Sequence, residues 1–430
     1  MKKTEIRKLH GFFENELKNQ ILSFWIPRCE DKEYGGFLNC FDNKGENLAS
    51  YDKYTWSQGR FVWMFAKLAA TEGLMLTEAE RAEFLRLAAQ GAEFLMAHCL
   101  MGEGDYRCVF LMNRDGSPKK VGDYEALDMS IYADCFVVIG LARYALTSGD
   151  KRAYEFAKKL HASCITRIES GNFNTLPYPV SKKFRAHGIP MIMSNTTKEL
   201  CLAADALDGD YGTHLRTLVH GYTEDILTHF VDENNVLHEF ILSENNEFFP
   251  QILCRHMNPG HTIEDMWFAY EAAALCGEEK WNKKIAAVAK KAIENGWDEE
   301  FGGILHFSGV AGGEPVGDAT GVENEPMTKL LSDWGSKLWW VHSEALYTSL
   351  LCYFNTGDKD FLAWFEKIFD YTFATFPGKN PEVREWLQIR TRDGAPQDKV
   401  VALPVKDPFH ITRNLVMLLE LLSEKMHSSN

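Results

Sequence analysis

The chain has 430 residues, and 46 basic against 61 acidic side chains give it a formal charge of −15. Hydrophobic residues make up 45% and charged residues 25%, which is typical of a folded globular protein and excludes a disordered chain. The acidic balance disfavours nucleic acid or an anionic membrane as the main partner, because both are negatively charged. Length alone would suggest two or three domains.

The cysteines and the N-terminus indicate where the protein works. The ten cysteines form neither a C-x-x-C pair nor a Cys/His cluster with the spacing of zinc ligands. After Met1, the chain continues with charged, amphipathic residues and not with an apolar secretory segment. The longest uncharged apolar runs, such as residues 135–142, are too short to cross a bilayer. We therefore expect a cytoplasmic protein with reduced thiols, no membrane anchor and no metal site.

Short turn-like segments, most of them with glycine or asparagine, recur along the chain at a near-constant interval of 64 to 82 residues. They are residues 35–38, 104–107, 171–174, 235–238, 302–305 and 384–387. Each interval has room for two helices of roughly 15–20 residues with their connections. No Pro/Gly/Ser-rich linker divides the chain. The repeat therefore predicts a single domain over residues 1–430, built from six helical hairpins.

Hydrophobic periodicity predicts about twelve helices, which would form a toroid of six inner and six outer helices with short β-hairpins on one face. The predicted helices are residues 4–26, 53–73, 78–99, 125–147, 151–168, 191–207, 211–230, 261–276, 279–295, 335–356, 358–376 and 410–426. Asp150, Asp210 and Asp358 each follow a glycine, and each Gly-Asp pair is predicted to end one helix and cap the next. Residues 308–333 are Gly-rich and acidic, and are interpreted as a long functional or mobile loop.

The helices that follow the turn segments begin with polar or aromatic residues that are unusual for a helix start. These starts are residues 53–60, 125–132, 194–195, 261–264, 339–342 and 410–413. The helices after the Gly-Asp links carry ordinary surface charge instead. We therefore assign the first set to the inner ring and expect their starts to meet at one end of a central cavity, where a concave polar site would form.

Four segments resemble motifs of the N-acylglucosamine 2-epimerase family, which includes cellobiose 2-epimerases and related mannose isomerases. They are residues 35–37 with 53–60, residues 255–264, residues 339–345 and residues 408–413. The motifs occur in the family's order and span the chain nearly end to end. The resemblance implies an all-α fold, the (α/α)6 barrel, in agreement with the helix count. Cellobiose 2-epimerases have a histidine where this chain has Asn195-Thr196, which favours a monosaccharide substrate over a disaccharide.

Inverting C2 of an open-chain aldose requires removal of the proton next to the carbonyl group and return of a proton to the opposite face. Histidine suits both steps, because its pKa is near 6.5. The resemblance assigns proton transfer to His261 and His410, and each also follows a proline-containing segment and opens a predicted helix. We expect His410 to abstract the C2 proton and His261 to deliver one, with the roles exchanged in the reverse direction. No metal or redox cofactor is required.

Polar residues at the inner-helix starts are candidates for binding the sugar. Arg60 would hold a sugar oxygen or stabilise the enediolate, or else form a buried ion pair. Glu264 lies one helical turn after His261. It would orient an imidazole, or else it is an acidic residue that the helix dipole stabilises in the first turn. Asn195 would contact a sugar hydroxyl, or else cap its helix.

Aromatic residues at the same helix starts would stack on a pyranose face or pack in the core. The candidates are Trp56, Trp339 and Trp340, and the adjacent Trp339 and Trp340 are not expected to face the cavity together. His342 and Glu344 are expected on the cavity wall, where they would help the sugar ring to open.

The expected function is a sugar 2-epimerase that interconverts N-acetylglucosamine and N-acetylmannosamine or a similar aldose pair. An aldose–ketose isomerase of the mannose type would use nearly the same residues and return the proton to C1. A glycoside hydrolase would need two opposed carboxylates, for which Asp128, Glu264, Asp265 and Glu344 are candidates. A non-catalytic sugar-binding protein would bind the ligand without proton exchange. A homodimer formed through the outer helices is compatible with such a toroid.

Overall fold

The computed structural model describes residues 1–427, and most of them are helical. The α-helices are α1 Lys3–Glu16, α2 Ser23–Cys29, α3 Thr55–Ala70, α4 Glu78–His98, α5 Ile131–Ser148, α6 Lys151–Glu169, α7 Gly188–Leu207, α8 Gly209–Asp225, α9 Pro259–Cys276, α10 Asn282–Gly296, α11 Pro326–Leu330, α12 Trp339–Thr356, α13 Lys359–Thr375 and α14 Phe409–His427. A π-helical turn, Leu17–Leu22, joins α1 to α2, and a second, Ile226–Phe230, continues α8.

Six helices form a closed inner ring. In the order α3, α5, α7, α9, α12 and α14, each contacts the next, and α14 returns to α3. The helices α4, α6, α8, α10 and α13 each pack outside the inner helix that precedes them, while α1 covers α14. The first and last helices thus complete the sixth pair. The predicted (α/α)6 barrel and the predicted inner ring are both confirmed.

The inner helices are buried on nearly all sides, whereas the outer helices are amphipathic. The inner helix α5 is long and apolar enough to suit a membrane span, but most of it is buried against α3, α6 and α7. Its close approach to α3 depends on glycine, because a Cβ atom on Gly59 would overlap the carbonyl oxygen of Phe136. The facing Gly140 meets the backbone of Gly59 in the same way. This contact brings the start of α3 against Phe136, at the end of the barrel where the site lies.

Short antiparallel strands lie at that end of the barrel. They are β1 Lys53–Tyr54, β2 Leu100–Gly102, β3 Asp105–Cys108, β4 Leu111–Met112, β5 Pro118–Lys119, β6 Phe184–Ala186, β7 Phe240–Leu242, β8 His256–Met257, β9 Ser308–Gly309, β10 Lys337–Leu338 and β11 Ile389–Arg390. The sheets are β1-β4-β5, β2-β3, β6-β7, β8-β9 and β10-β11. Because β1, β6, β8 and β10 lead into the inner helices α3, α7, α9 and α12, the strands hold the inner-helix starts in place.

The predicted turn segments only partly coincide with these strands. Residues 104–107 overlap β3, and segments 35–38, 235–238 and 302–305 each supply one isolated bridge. Segments 171–174 and 384–387 contain no strand. Paired glycines, as at Gly302 and Gly303, adopt positive φ angles of 74° and 77°, which interrupts an extended strand.

The Gly-Asp links are confirmed at two of three places. Gly149 and Gly357 end α5 and α12 in the left-handed conformation, and Asp150 and Asp358 cap the next helices with their side chains. The prediction at Asp210 is wrong, because α8 begins one residue earlier and places Asp210 in its first turn.

The predicted start of α5 at residue 125 is also wrong. Residues 129–131 run extended beside the 174–176 segment: Ile131 N–H donates to the Asn174 carbonyl at 2.8 Å, and Leu176 N–H to the Met129 carbonyl at 2.9 Å. These bonds compete with helix formation, and α5 therefore begins at Ile131. The predicted long loop 308–333 contains β9 and α11, and its Met327 packs with Phe184, Phe240 and Leu253 beside the cavity.

Candidate active site

A cavity opens at the end of the barrel where the inner helices begin. Every inner helix lines it: Trp56 and Arg60 from α3, Phe136 from α5, Met191 and Asn195 from α7, His261 and Glu264 from α9, Trp339 and Trp340 from α12, and His410 and Arg413 from α14. Loop residues including Tyr178, Glu239, Phe307 and Leu403 complete its walls. The structure thus brings both predicted catalytic histidines into one cavity.

His261 lies in the first turn of α9, and the local sequence explains that position. Pro259 occupies the start of the helix, and the Asn258 side chain accepts the backbone N–H of His261 at 3.1 Å. The absent side chain of Gly260 leaves room for the Trp340 ring. The imidazole Nδ1 of His261 lies 2.9 Å from Oε1 of Glu239. Since a carboxylate can only accept this bond, Nδ1 carries the proton and Nε2 is the nitrogen left for substrate.

Glu239 is buried and has a second histidine behind it. Its Oε2 lies 3.5 Å from Nδ1 of His187, whose Nε2 donates to Asp265 at 2.9 Å. Burial raises the pKa of Glu239, but the charges of His261 and His187 and the hydrogen bond from His261 outweigh burial and hold that pKa well below its usual range. Burial likewise lowers the pKa of His187, but Asp265 and Glu239 raise it to about 9. At neutral pH this row of groups therefore contains an imidazolium between two carboxylates.

His410 lies on the other side of the cavity, in the first turn of α14. Asp407 accepts the backbone N–H of Phe409 at 2.8 Å and so sets the helix start. The Nδ1 of His410 lies 2.7 Å from Oε1 of Glu344, and its Nε2 lies 3.2 Å from a guanidinium nitrogen of Arg60. Because arginine only donates hydrogen bonds, this contact favours an unprotonated Nε2. His410 is therefore arranged as a base.

Glu344 is fully buried behind His410 and does not line the cavity, so its predicted place on the cavity wall is wrong. It hydrogen-bonds to Arg413 and accepts the Trp267 Nε1–H at 2.8 Å. Burial raises its pKa, but the charge of Arg413 and the bond from His410 lower it to about 2. Glu344 is thus an ionised carboxylate that orients His410.

Glu264 lines the cavity as predicted, and its carboxylate bonds to Arg413. Within residues 1–427, Glu264, Glu344 and His410 are the one group of side chains close enough to share a metal ion. The cation that contacts both carboxylates is the Arg413 guanidinium. It occupies the position that a metal would need.

Arg60 combines both roles that the sequence left open. It lines the cavity and also forms an ion pair with Asp407. Its guanidinium carbon lies 4.2 Å from the ring centre of Phe136 and 5.2 Å from that of Trp56, so aromatic faces hold it beside His410. A fixed cation next to the base is placed to stabilise an oxyanion.

The expectation that Trp339 and Trp340 would not both face the cavity is wrong. Both line it. The Trp340 ring lies 5.6 Å from that of His261 and 5.3 Å from that of His410, measured between ring centres, so it sits between the two histidines. Trp339 donates Nε1–H to the Asp407 carbonyl at 3.2 Å, and Trp56 stacks on Phe136. The cavity therefore offers aromatic faces beside the histidines.

Two other predicted positions have different outcomes. The prediction for His342 is wrong: it is fully buried outside the cavity lining, with Nδ1 2.7 Å from the Leu338 carbonyl and Nε2 accepting the Ile304 N–H. Burial lowers its pKa to about 3, so it is neutral.

Asn195 lines the cavity, and its Oδ1 has no hydrogen-bond partner within residues 1–427. Because it lies inside α7 and not at its end, Asn195 is not a helix cap.

The sequence motifs did not single out several residues that the structure places at or behind the cavity. Arg413 ends the motif at residues 408–413, one helical turn after His410. Asp407 directly precedes the same motif, and Glu239 directly follows a turn segment. These spacings were the signal that could have found them. His187 carried no such signal, because its partners are distant in sequence.

The structure is a toroid of paired helices, and two histidines bonded to carboxylates line its central cavity, an arrangement suited to acid–base chemistry. Residues 35–413 match the model of the N-acylglucosamine 2-epimerase (GlcNAc 2-epimerase) family. The chain belongs to this family, which confirms the resemblance, and it is accordingly a carbohydrate epimerase, a kind of isomerase.

Similar proteins with names agree with this assignment. The chain is 30% identical to the N-acylglucosamine 2-epimerase of Bos taurus over 410 residues, which cover 94% of this chain and 89% of that protein. It is 23% identical to a cellobiose 2-epimerase of Bacteroides fragilis, over 96% of this chain and 98% of that one. The structure of a cellobiose 2-epimerase from Bacillus thermoamylovorans superimposes with a TM-score of 0.74 at 19% identity, over 97% of this chain and 100% of the other, and so shares the fold.

Proposed function

We propose that this protein interconverts N-acetylglucosamine and N-acetylmannosamine, or a similar aldose pair, by proton transfer at C2 through His261 and His410. One observation carries the mechanism: both histidines line the same cavity, and each bonds through Nδ1 to a buried carboxylate, at 2.9 Å and 2.7 Å. Two imidazoles that are both held through Nδ1 leave their Nε2 atoms to serve the two faces of one carbon.

The first step takes the C2 proton. In the direction that uses His410 as base, its Nε2 accepts the proton, and the electron pair of the C–H bond forms the C1–C2 double bond while the carbonyl π pair moves to the C1 oxygen. Arg60, 3.2 Å from that nitrogen, is the cation placed to stabilise the resulting enediolate. Glu344 stabilises the imidazolium that forms.

The second step returns a proton to the opposite face. In this direction His261 starts as the imidazolium, with its Nδ1–H held by Glu239 and a second proton on Nε2. It donates the Nε2 proton to C2, and the C1 carbonyl re-forms as the enediolate electron pair moves back. Glu239 holds His261 through Nδ1 during both protonation states. In the reverse direction His261 is the base and His410 the acid, so the reaction needs no net proton.

The state of the carboxylates favours this chemistry over glycoside hydrolysis. A hydrolase needs one carboxylic acid with a raised pKa opposite an ionised partner. Glu239, Glu264 and Asp407, the acidic residues that line the cavity, each bond to a histidine or an arginine. For Glu239 these contacts lower the pKa. Such carboxylates are suited to orient cations and not to donate protons.

The choice of sugar rests on the relatives and on the cavity. The curated relative from Bos taurus, at 30% identity, is named for an N-acylglucosamine. Asn195 presents an unpaired oxygen in the cavity, near Met191 on the same helix. An amide acceptor beside an apolar wall suits the N–H and the methyl group of an acetamido substituent.

The test is proton exchange in D2O. The purified protein is incubated separately with N-acetylmannosamine, mannose and cellobiose, and the C2 proton and new species are followed by NMR. We expect the C2 signal of N-acetylmannosamine to disappear while deuterated N-acetylglucosamine forms. A ketose product would favour the aldose–ketose isomerase instead. Binding without exchange for all three sugars would contradict the two-histidine mechanism.

The cellular setting is a further part of the proposal. We propose a cytoplasmic enzyme that needs neither nucleic acid nor membrane and that can pair as a homodimer. All ten cysteines are unpaired and nine of them are buried, which supports a reducing compartment. Microscopy of the tagged full chain and light scattering of the purified protein test location and oligomeric state.

A further inference from the structure

The two catalytic candidates differ in what stands behind their carboxylates. Behind Glu344 is the guanidinium of Arg413, a permanent cation. Behind Glu239 is His187, which is fully buried and reaches Asp265 on α9 at 2.9 Å. His187 does not line the cavity and takes no part in the mechanism above.

The backbone fixes His187 and Glu239 relative to each other. His187 follows β6 and Glu239 precedes β7, and these two strands pair in antiparallel register. The His187 N–H donates to the Glu239 carbonyl at 2.9 Å, and the Glu239 N–H to the His256 carbonyl at 3.2 Å. The side chains therefore meet on a rigid frame, with Nδ1 of His187 3.5 Å from Oε2 of Glu239.

We propose that His187 is a positioning residue for the reaction: its imidazolium, held by Asp265, fixes the Glu239 carboxylate so that His261 keeps its Nδ1 proton and directs Nε2 at the substrate. This inference rests on the proposed function. A loss of charge at His187 leaves Glu239 buried with one partner, and the carboxylate can then rotate away from His261.

Among the groups around Glu239, His187 is the one that we expect to lose its proton in the alkaline range. Asp265 faces it from α9, Glu239 from the segment before β7, and the Phe230 ring lies 5.9 Å from its ring. Glu239 in turn faces His261, the Tyr132 phenol and His256. Burial raises the pKa of Tyr132 well above its usual range, raises that of Tyr178, which also faces Glu239, to about 12, and lowers that of His256 to about 4. None of these groups therefore changes charge near pH 9.

The first experiment compares pH profiles of kcat for wild-type enzyme, Asp265→Asn and His187→Gln on N-acetylmannosamine. In wild type we expect kcat to fall as pH rises through about 9, where His187 loses its proton. Asp265→Asn should move that fall to lower pH, because it removes the main group that raises the pKa of His187. His187→Gln should lower kcat about 10- to 100-fold and abolish the fall near pH 9. A merely structural histidine would leave the position of the fall unchanged.

His161→Gln is the matched control. His161 lies on the outer helix α6 and is equally buried, but its side chain bonds to Thr197 and does not line the cavity. We expect its replacement to leave kcat and the pH profile as in wild type. If Asp265→Asn kept the wild-type profile while remaining folded, the positioning role would be overturned.

A second measurement separates this inference from the proposed function and needs no substrate. The wild-type protein is labelled with ¹⁵N-histidine and observed by NMR at pH 8. We expect one slowly exchanging side chain protonated on both nitrogens, His187, and a His261 side chain that carries a proton on Nδ1, assigned by its absence in His261→Asn. The absence of a buried imidazolium at pH 8 would overturn the inference, even if C2 exchange is observed. With the imidazolium present and no exchange for any sugar, only the proposed function would fail.

Discussion

The two catalytic candidates, His261 and His410, are held in place by different kinds of residue. His261 and His410 each open an inner helix and bond through Nδ1 to a buried carboxylate. On the His410 side, Glu344 is held by Arg413, and all three residues lie on the neighbouring inner helices α12 and α14. On the His261 side, Glu239 and its partner His187 lie on the segments flanking the β6-β7 pair.

This difference shows which contacts depend on pH. A guanidinium keeps its charge over the whole range in which the protein is folded, whereas an imidazolium does not. The His410 half is therefore permanently organised, and the His261 half is organised only while His187 is charged. The residues of the His410 side, Glu344, His410 and Arg413, all lie within the family motifs.

The largest expected effect comes from replacing each histidine in turn with asparagine. We expect epimerisation to fall by about 10²- to 10⁴-fold in both variants, because each removes one of two proton-transfer groups. In D2O, His261→Asn should still exchange the C2 proton of one epimer, and His410→Asn that of the other, without forming product. The NMR assay of C2 exchange measures this. If either variant retained epimerisation near the wild-type rate, that histidine would be removed from the mechanism.

Replacing Arg60 with methionine tests whether the oxyanion is stabilised on the His410 side. We expect kcat to fall by about 10²- to 10³-fold with a smaller change in KM, because the enediolate charge exists only after proton removal. Arg143→Met is the control, since Arg143 is half-buried like Arg60 but pairs with Glu199 outside the cavity lining. An effect confined to KM would show that Arg60 only binds the sugar.

The carboxylates behind the histidines allow the two sides to be compared directly. We expect Glu344→Gln to lose more stability than Glu239→Gln, by about 1–3 kcal/mol, because among residues 1–427 it leaves the permanently charged Arg413 with Glu264 as its one carboxylate partner. His187 can instead release its proton when Glu239 is neutralised. Urea unfolding at pH 7 measures both variants. Equal losses of stability in the two variants would contradict the proposed difference between Arg413, which stays charged, and His187, which can release its proton.

The pH dependence of stability sharpens the same contrast. The pKa of His187 is raised to about 9, so its contribution is fully present below about 6.5 and is lost as pH rises through 9. The pKa of Glu344 is lowered to about 2, so its contribution is present above about 4.5 and is lost as pH falls towards 2. We expect the stability difference between wild type and His187→Gln to shrink by about 1–3 kcal/mol between pH 6.5 and 9.5.

The control for this slope is His161→Gln. Burial lowers the pKa of His161 to about 4, so it is uncharged throughout this range and its replacement should cost the same stability at both pH values. A slope for His161→Gln equal to that for His187→Gln would contradict the assignment.

The smallest expected effect is at Asn195, which belongs to neither histidine pair. We expect Asn195→Ala to raise KM by about five- to tenfold for N-acetylmannosamine, since one hydrogen bond of about 1 kcal/mol is lost, and to leave kcat nearly unchanged. Steady-state kinetics with N-acetylmannosamine and mannose measure it. An equal rise in KM for mannose would show that Asn195 does not recognise the acetamido group.

The sequence determined the architecture because its signals are local and repeated. Apolar periodicity placed nearly all helices within a few residues of their observed ends, and glycine after a helical run marked its end at Gly149 and Gly357. The polar starts of the inner helices identified the end of the barrel with the cavity. These signals need only the few residues around each position.

Only the tertiary structure decided which side chains meet. His342 and Glu344 are two residues apart on α12, so they point about 200° apart around the helix, and only Glu344 faces His410. His187, Glu239 and Asp265 are separated by up to 78 residues, and a spacing of that kind carries no periodicity. Their contact depends on how β6 and β7 pair and on how α9 packs, which is set by burial across the whole barrel.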